Sequence, residues 1–507
     1  MIAKVHTATL HGIDAIEVTV EAGLSGGSPG FAIVGLPDAS VRESGERVNA
    51  AIRSSGFEYP FKRVTVNLAP ADLRKEGPSL DLPICLSILS TSGQIPLEAF
   101  DGTLVAGELG LDGLVRPIDG AVCMALMCQD RGYTRMILPE KNAPEATVAQ
   151  GVSVFGVKHL REVVDLLIDP DSRDPLPTVD FENQPPPDYM VDFGDVKGQS
   201  QAKRALEIAA AGGHNMIMAG SPGSGKTMLA RRLPTILPPL TREEAIEVTR
   251  IYSSAGAMDG RNGLIWERPF RSPHHGASHA AIVGGGRVPK PGQISLAHHG
   301  VLFLDEMPEF DRNVLEGLRQ PLEDGVISVA RVQASMEFPA QLMLIGALNP
   351  CPCGYHGDRV KQCSCTPDAI RRYMGRLSGP LLDRIDMHVQ VPRLSHDELI
   401  AARTGETSAV IRERVTAARK AQAKRLGGGN RVNARMTPRE MREHCPLDEG
   451  CTEFLRNASA RMGLSARVFD RVIRVARTIA DLTQEPEIKE DHLSEAVQYR
   501  TLDRGLL

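Results

Sequence analysis

The chain has 507 residues, 42% hydrophobic and 24% charged, with a formal net charge of −5, the composition of an ordinary globular protein long enough for two to four domains rather than one core. No apolar run approaches the roughly 18 residues of a membrane span, and the opening MIAKVHTATLHGIDAIEVTVEA alternates like strands without the apolar centre of a secretory leader, so a cytoplasmic protein with no membrane association is expected. The charge is uneven: residues 1–190 carry 15 basic against 26 acidic side chains and residues 191–507 carry 43 against 37, which directs any contact with a polyanion to the later part.

Residues 1–170 alternate strand-like stretches (AKVHTATL, AIEVTVEA, GFAIVGL, RVTVNLA, TLVAGEL, MILP) with helix-like ones (DASVRESGERVNAAIRSSG, SLDLPICLSILSTSG and 119–131). RKEGPSLDLP, 74–83, delivers Ser79 to the start of an apolar run, where it is either a nucleophile or a helix-start residue. Residues 171–190, rich in Pro and Asp and without periodicity, read as a linker. Residues 191–400 alternate again, with strands MIMAG, GVLFLDE and QLMLIGALN. Residues 401–507 read as helices, with a break at RLGGGN, 425–430.

The chemistry starts at HNMIMAGSPGSGKTMLARRL, an apolar strand, a glycine-rich loop and a helix. Gly220, Ser221, Pro222, Gly223, Ser224, Gly225, Lys226 and Thr227 fit G-x-x-x-x-G-K-[ST]. Glycines let successive backbone N–H groups turn toward phosphate oxygens, the lysine reaches the β and γ phosphates, and the threonine hydroxyl takes a Mg²⁺ position. The strand GVLFLDE ends in Asp305, expected in the Mg²⁺ shell, and Glu306, expected to deprotonate the attacking water. Asn349 ends a third apolar strand, where it can bond the same water or simply form a turn before Pro350. Arg384 lies between carboxylates in LLDRID, and Arg467, Arg471 and Arg474 recur on one face of an amphipathic helix; a surface ion pair and a solvated basic face are the plain alternatives. Cys351, Cys353, Cys363 and Cys365 form C-x-C-x9-C-x-C, a four-thiolate set suited to structural Zn²⁺, although C-x-C departs from the usual C-x-x-C knuckle.

Together, GSPGSGKT, RPFRSPHHGAS, PKPGQISLAHHGVLFLDE, ALNPCPCGY, LLDRID and SARVFDRVIRVARTIADL resemble the Mg-chelatase-like AAA+ ATPases of the ComM/YifB type over nearly the whole chain. The resemblance implies an α/β fold: an AAA+ P-loop ATPase core at 191–400 and a C-terminal helical lid at 401–507. It also implies ATP with Mg²⁺ at the interfaces of a homo-oligomeric ring, usually a hexamer, and action on single-stranded or branched DNA as a branch-migration helicase in natural transformation. Asn349 then becomes a first sensor of the γ-phosphate, Arg384 a finger offered by the neighbouring subunit, and Arg467 a second sensor on the lid. The gap of about 80 residues between phosphate loop and acidic strand looks like this branch's inserted loop after helix 2, and DGVISVARVQASMEFPAQ like its pre-sensor hairpin. Arg287, Lys290 and Arg331 are the implied pore contacts to a DNA backbone, with ordinary surface loops as the alternative. The paired histidines, His274 and His275, read as hydrogen-bonding loop residues.

Residues 1–170 resemble the proteolytic domain of Lon-type proteases, an α+β domain of the ribosomal S5 domain 2-like class. Ser79 falls on that family's nucleophile, and GELGLDGLVRPIDGAVCMALMCQDRGYTRMILPEKN follows its second motif, but Val122 stands where its catalytic lysine belongs. Valine cannot activate a hydroxyl, so the domain is expected to be inactive and Ser79 to start a helix. An ATP-driven DNA motor is therefore favoured over the ATPase subunit of a metal chelatase or remodelling complex, and over an ATP-dependent protease.

Overall fold

The structure is a computed structural model. It describes residues 2–181, 187, 189–258, 263–286, 289–331, 334–358, 360–395, 398, 405–462 and 465–500. The chain forms two compact units: residues 1–185 with 241–266, and residues 186–240 with 267–507.

The first unit is built on a seven-stranded mixed sheet. Its order is Gly30–Val34, Arg63–Ala69, Asp14–Ser25, Ile2–His11, Thr103–Val105, Arg135–Pro139, Ser153–Val157. The alternation seen in the sequence is the pleat: Val5, Val18, Val20, Val64 and Val66 are buried while their neighbours turn outward. The helix Asp81–Thr91 is buried along its whole length, as DLPICLSILST requires, and Leu82, Ile84 and Leu86 join those valines in one core.

Ser79 lies in a short 3₁₀ turn, Pro78–Leu80, that runs into this helix. Its hydroxyl caps neither element, and its carbonyl accepts from Gly107 N at 2.9 Å. Val122 is fully buried on the helix Ala121–Arg131, packed with Val148 and Leu264.

Residues 241–266, which the sequence places in the second domain, complete this first unit. The helix Arg242–Ala255 begins with a Thr241/Glu244 capping box and buries Ala245, Val248 and Ile251. Gly120 N donates to Ser253 O at 2.9 Å, Val122 N to Ser253 Oγ at 3.4 Å, and Arg250 pairs with Asp14. Residues from the linker-like stretch also dock here. Leu176 N donates to Val154 O at 2.8 Å, and Phe181 meets the edge of Trp266 at 6.0 Å between ring centroids.

The second unit holds a five-stranded sheet, every neighbour parallel, in the order Phe270–Arg271, Val301–Leu304, Met343–Leu348, Met216–Ala219, Met387–Gln390. Three of these strands, Val301–Leu304, Met343–Leu348 and Met216–Ala219, are buried throughout, which is why they read as continuous apolar runs. Helices cover the sheet, among them Ser200–Gly212, Ser408–Arg425 and Ala466–Leu482. The sequence reads as a long helical pattern over 397–425, ended by RLGGGN; it is described only in part, as the helix Ser408–Arg425, and residues 397 and 399–404 lie outside the described residues. Two hairpins interrupt the α/β alternation: Gly284–Gly285 with Lys290–Pro291, and Val326–Arg331 with Ala334–Pro339. No helix among the described residues is long and apolar enough to cross a membrane.

Candidate nucleotide site and cysteine cluster

The phosphate loop follows the central strand Met216–Ala219. Gly223 (φ 77°) and Gly225 (φ 93°) take left-handed conformations that side chains resist. Gly220 has a different reason to be glycine, since a Cβ there would lie 2.2 Å from the Val391 carbonyl oxygen. Lys226 donates to the carbonyls of Gly220 at 2.6 Å and Ser221 at 3.1 Å, and reaches Asn349 Oδ1 at 3.4 Å. Burial lowers the pKa of this ammonium, against the opposing charges of Asp305 and Glu306.

Thr227 Oγ1 donates to Asp305 Oδ2 at 2.7 Å. Adjacent ligands of an octahedral Mg²⁺ with bonds of 2.0–2.1 Å stand about 2.9 Å apart, so the two oxygens fit neighbouring positions of one shell. Glu306 leaves the end of the acidic strand in a left-handed conformation, φ 51°, uncommon for a residue with a side chain. Its N–H donates to Asp305 Oδ1 at 3.0 Å and its carboxylate is half-exposed. His275 Nδ1 lies 3.7 Å from Glu306 Oε2, with its ring against His274 and the edge of Phe310. The sequence marks His275 only as a hydrogen-bonding loop residue, and the structure sets it beside Glu306. The signal available was its position just past the strand Phe270–Arg271, which pairs with the acidic strand.

Arg384 stands elsewhere. The residue three positions after it, Met387, pairs with Met216 at the start of the central strand, whereas the phosphate loop leaves that strand's far end. Arg384 is 8% exposed, pairs with Glu323 and donates to Pro380 O at 2.7 Å. Arg467 is exposed in the first turn of its helix. The Glu323 carboxyl is held below its ordinary pKa first by Arg384 and, more weakly, by Arg467. Arg471 and Arg474 are not a solvated face: Arg471 pairs with buried Asp386, and Arg474 donates to Met436 O at 2.8 Å. The structure thus gathers Lys226, Thr227, Asp305, Glu306 and Asn349, and separately gathers Arg384, Glu323 and Arg467.

The four cysteines converge. Sulfur–sulfur distances are 3.3 Å for Cys351–Cys353, 3.7 Å for Cys351–Cys363 and 3.6 Å for Cys353–Cys363, and Cys353 N donates to Cys365 Sγ at 3.4 Å. A disulfide needs about 2.05 Å, whereas four sulfurs at 2.3 Å from a tetrahedral Zn²⁺ lie about 3.8 Å apart. Backbone N–H groups of Ser364 and Tyr355 help bring the Cys353 thiol down to about 5, while the neighbouring sulfurs of Cys353 and Cys351 push Cys363 and Cys365 up, as thiols crowded into one site do without a cation. Of the expected pore residues, Lys290 is exposed on its hairpin. Arg331 ends the strand paired with Ala334, but its side chain, like Arg287 as a whole, lies outside the described residues.

Comparison with known proteins agrees with this architecture. Residues 192–399 match the family described as magnesium chelatase, subunit ChlI; residues 20–142 match subunit ChlI of Mg-chelatase; residues 405–500 match the C-terminal part of that subunit. The chain is 43% identical to the uncharacterized protein YifB of Salmonella typhimurium and 43% identical to the competence protein ComM of Haemophilus influenzae, in each case over 100% of this chain and 98% of the relative. It is 41% identical, over 98% of both chains, to an uncharacterized protein of Mycobacterium tuberculosis. The chain belongs to the ComM/YifB-type family of Mg-chelatase-like proteins.

Proposed function

We propose that this protein is an ATP-hydrolysing AAA+ ring motor acting on DNA, a branch-migration helicase of recombination and natural transformation. The observation that carries the ATPase reading is the convergence of Lys226, Thr227, Asp305, Glu306 and Asn349 at the C-terminal ends of three parallel strands. Lys226 and the loop amides hold the β and γ phosphates. Thr227 and Asp305 hold a Mg²⁺ ion, which supplies charge neutralisation on the phosphates. Glu306 takes the proton of the attacking water, and Asn349 holds the γ-phosphate or that water.

Arg384 sits at the opposite end of the central strand, which a four-residue strand separates from the phosphate loop by roughly 13 Å. A role on the γ-phosphate is then open to it only from a neighbouring subunit, which supports the ring. Arg467 serves as the second sensor on a helical lid. The cysteine cluster holds structural Zn²⁺. Residues 1–170 are a Lon-protease-like domain without protease chemistry, as the apolar surroundings of Val122 favour.

The relative named as a competence protein supports a DNA role. The family's chelatase description keeps one other reading open, an ATPase that remodels a partner complex. Glu306→Gln is expected to bind ATP and stop turnover, and Lys226→Ala to lose binding; unchanged steady-state hydrolysis in Glu306→Gln ends the catalytic assignment. ATPase and binding assays with single-stranded, duplex and four-way-junction DNA separate the two readings. Absence of DNA affinity at low salt, with and without ATP, favours the remodelling ATPase.

A further inference from the structure

The segment carrying the cysteines leans on the phosphate loop. Asn349, which Lys226 reaches at 3.4 Å, is followed after one proline by Cys351. Gly354, between the two cysteine pairs, packs so closely on Pro222 that a Cβ at Gly354 would meet Pro222 Cδ at 2.6 Å. Asp358 stands near Ser221, a phosphate-loop residue that is only 8% exposed and whose hydroxyl favours the ionised carboxylate. The same carboxylate accepts from Val360 N at 2.7 Å and Lys361 N at 2.9 Å, and the neighbouring Ser221 foremost, with these two bonds, brings it down to about 2. The loop that must close around phosphates is thus braced at Ser221, Pro222 and Lys226 from a single segment. That segment has little core of its own: Cys353, Cys363 and Cys365 are only partly buried, and no regular helix or strand lies between Cys351 and Thr366 among the described residues.

We propose that metal occupancy of the four-thiolate cluster sets the nucleotide affinity of the phosphate loop, so that losing the metal weakens ATP binding without touching a catalytic group. This rests on the zinc reading above. A tetrahedral ion ties Cys351 and Cys353 to Cys363 and Cys365 and thereby fixes the intervening residues, Gly354 and Asp358 among them. Without it, only local turns hold Gly354 against Pro222 and Asp358 beside Ser221, and the loop loses its brace. Nucleotide binding and metal content then become linked through residues that touch no phosphate.

The test uses the full chain purified in reducing buffer without chelators, with zinc measured by mass spectrometry and affinity by a fluorescent ATP analogue. The parent is expected to hold about one zinc per chain. The double variant Cys363→Ser/Cys365→Ser is expected to lose the metal, keep its melting behaviour outside the cluster, and bind ATP about tenfold more weakly, the equivalent of one hydrogen bond to a charged group. Gly354→Ala examines the brace with the metal retained: the added Cβ pushes on Pro222 and opposes the left-handed φ of 85° that holds the turn there, and a similar loss of affinity is expected at parental zinc content. A metal-free, folded double variant with parental ATP affinity overturns the proposal. If the double variant fails to fold, parental affinity in Gly354→Ala does so instead. A parent without zinc removes the zinc reading itself, and the proposal with it, and so is distinct from a zinc-bearing parent whose demetallated form binds ATP unchanged.

Discussion

Asp386 shows how much one buried residue can join. Its carboxylate receives Arg471 from the helix Ala466–Leu482, Asn215 N at 3.1 Å from the start of the central strand, and His214 Nδ1 at 3.4 Å, while His214 Nε2 lies 2.8 Å from Thr478 Oγ1 on the same helix. Burial alone would raise the Asp386 pKa; Arg471 foremost, then His214, more than offset that and hold it well below the ordinary carboxylate range. A depressed carboxylate contributes stability that is fully present above its unfolded pKa near 3.9 and is lost as the pH falls below it. Asp386→Asn is therefore expected to cost about 3–5 kcal/mol at pH 7, as breaking a buried pair does. Urea melts should show the gap to the parent narrowing below about pH 4; a gap independent of pH rejects the ionised assignment. Two positions upstream, Arg384→Ala is expected to lower hydrolysis by about 10³ in a homogeneous assembly, as loss of an arginine finger does. Mixed with Glu306→Gln subunits it should recover part of the activity, because an interface with both groups intact forms between them. No recovery at any mixing ratio rejects a finger supplied by a neighbour.

Among elements, most strands of the two large sheets were legible because their burial is either alternate or complete, and both patterns are written in apolar spacing; Ser153–Val157, Phe270–Arg271 and Met387–Gln390, short runs broken by glycine or polar residues, were not. The motif residues were legible because phosphate and Mg²⁺ chemistry fixes residue type as well as spacing. Partners were not legible. The periodicity of Arg242–Ala255 announces an apolar face at Ala245, Val248 and Ile251, but periodicity names no surface for that face to meet, and the helix belongs with the first unit. Arg467, Arg471 and Arg474 look like a basic stripe because the groups that absorb two of them, the Asp386 carboxylate 85 residues from Arg471 and the Met436 carbonyl 38 residues from Arg474, announce nothing by spacing. Gly220→Ala should test the packing of the phosphate-loop strand. Its backbone carries no left-handed constraint, yet the Cβ would collide with the Val391 carbonyl, so loss of ATP binding is expected by titration where a purely conformational account expects tolerance. On the two hairpins, replacing Lys290 and Arg331 together should reduce the salt slope of DNA binding by about 0.9 per lost duplex phosphate contact. DNA-free hydrolysis should stay near the parental rate. Unaltered DNA binding at every salt concentration removes the hairpins from the DNA path.

At the scale of the whole chain, the backbone passes between the two units three times, near residues 185, 240 and 266. The sole tryptophan, Trp266, stands at the last of these passages and packs on Phe181, beside the cluster of Val122, Val148 and Leu264. A fragment ending at residue 185 therefore lacks one wall of its own unit. Adding a peptide of residues 241–266 to that fragment should raise its melting temperature and shift the Trp266 emission to shorter wavelength as the indole leaves water; no shift at saturating peptide rejects the docking as autonomous. The same interleaving constrains birth on the ribosome. Synthesis is vectorial, so the first unit waits for residue 266 before its last apolar cluster can close, by which time the phosphate loop has already been made while four of the five strands of its sheet, Phe270–Arg271, Val301–Leu304, Met343–Leu348 and Met387–Gln390, have not. The nascent chain must hold both units unfinished at once, and a pause in translation just past residue 266 would let the first mature before the second begins.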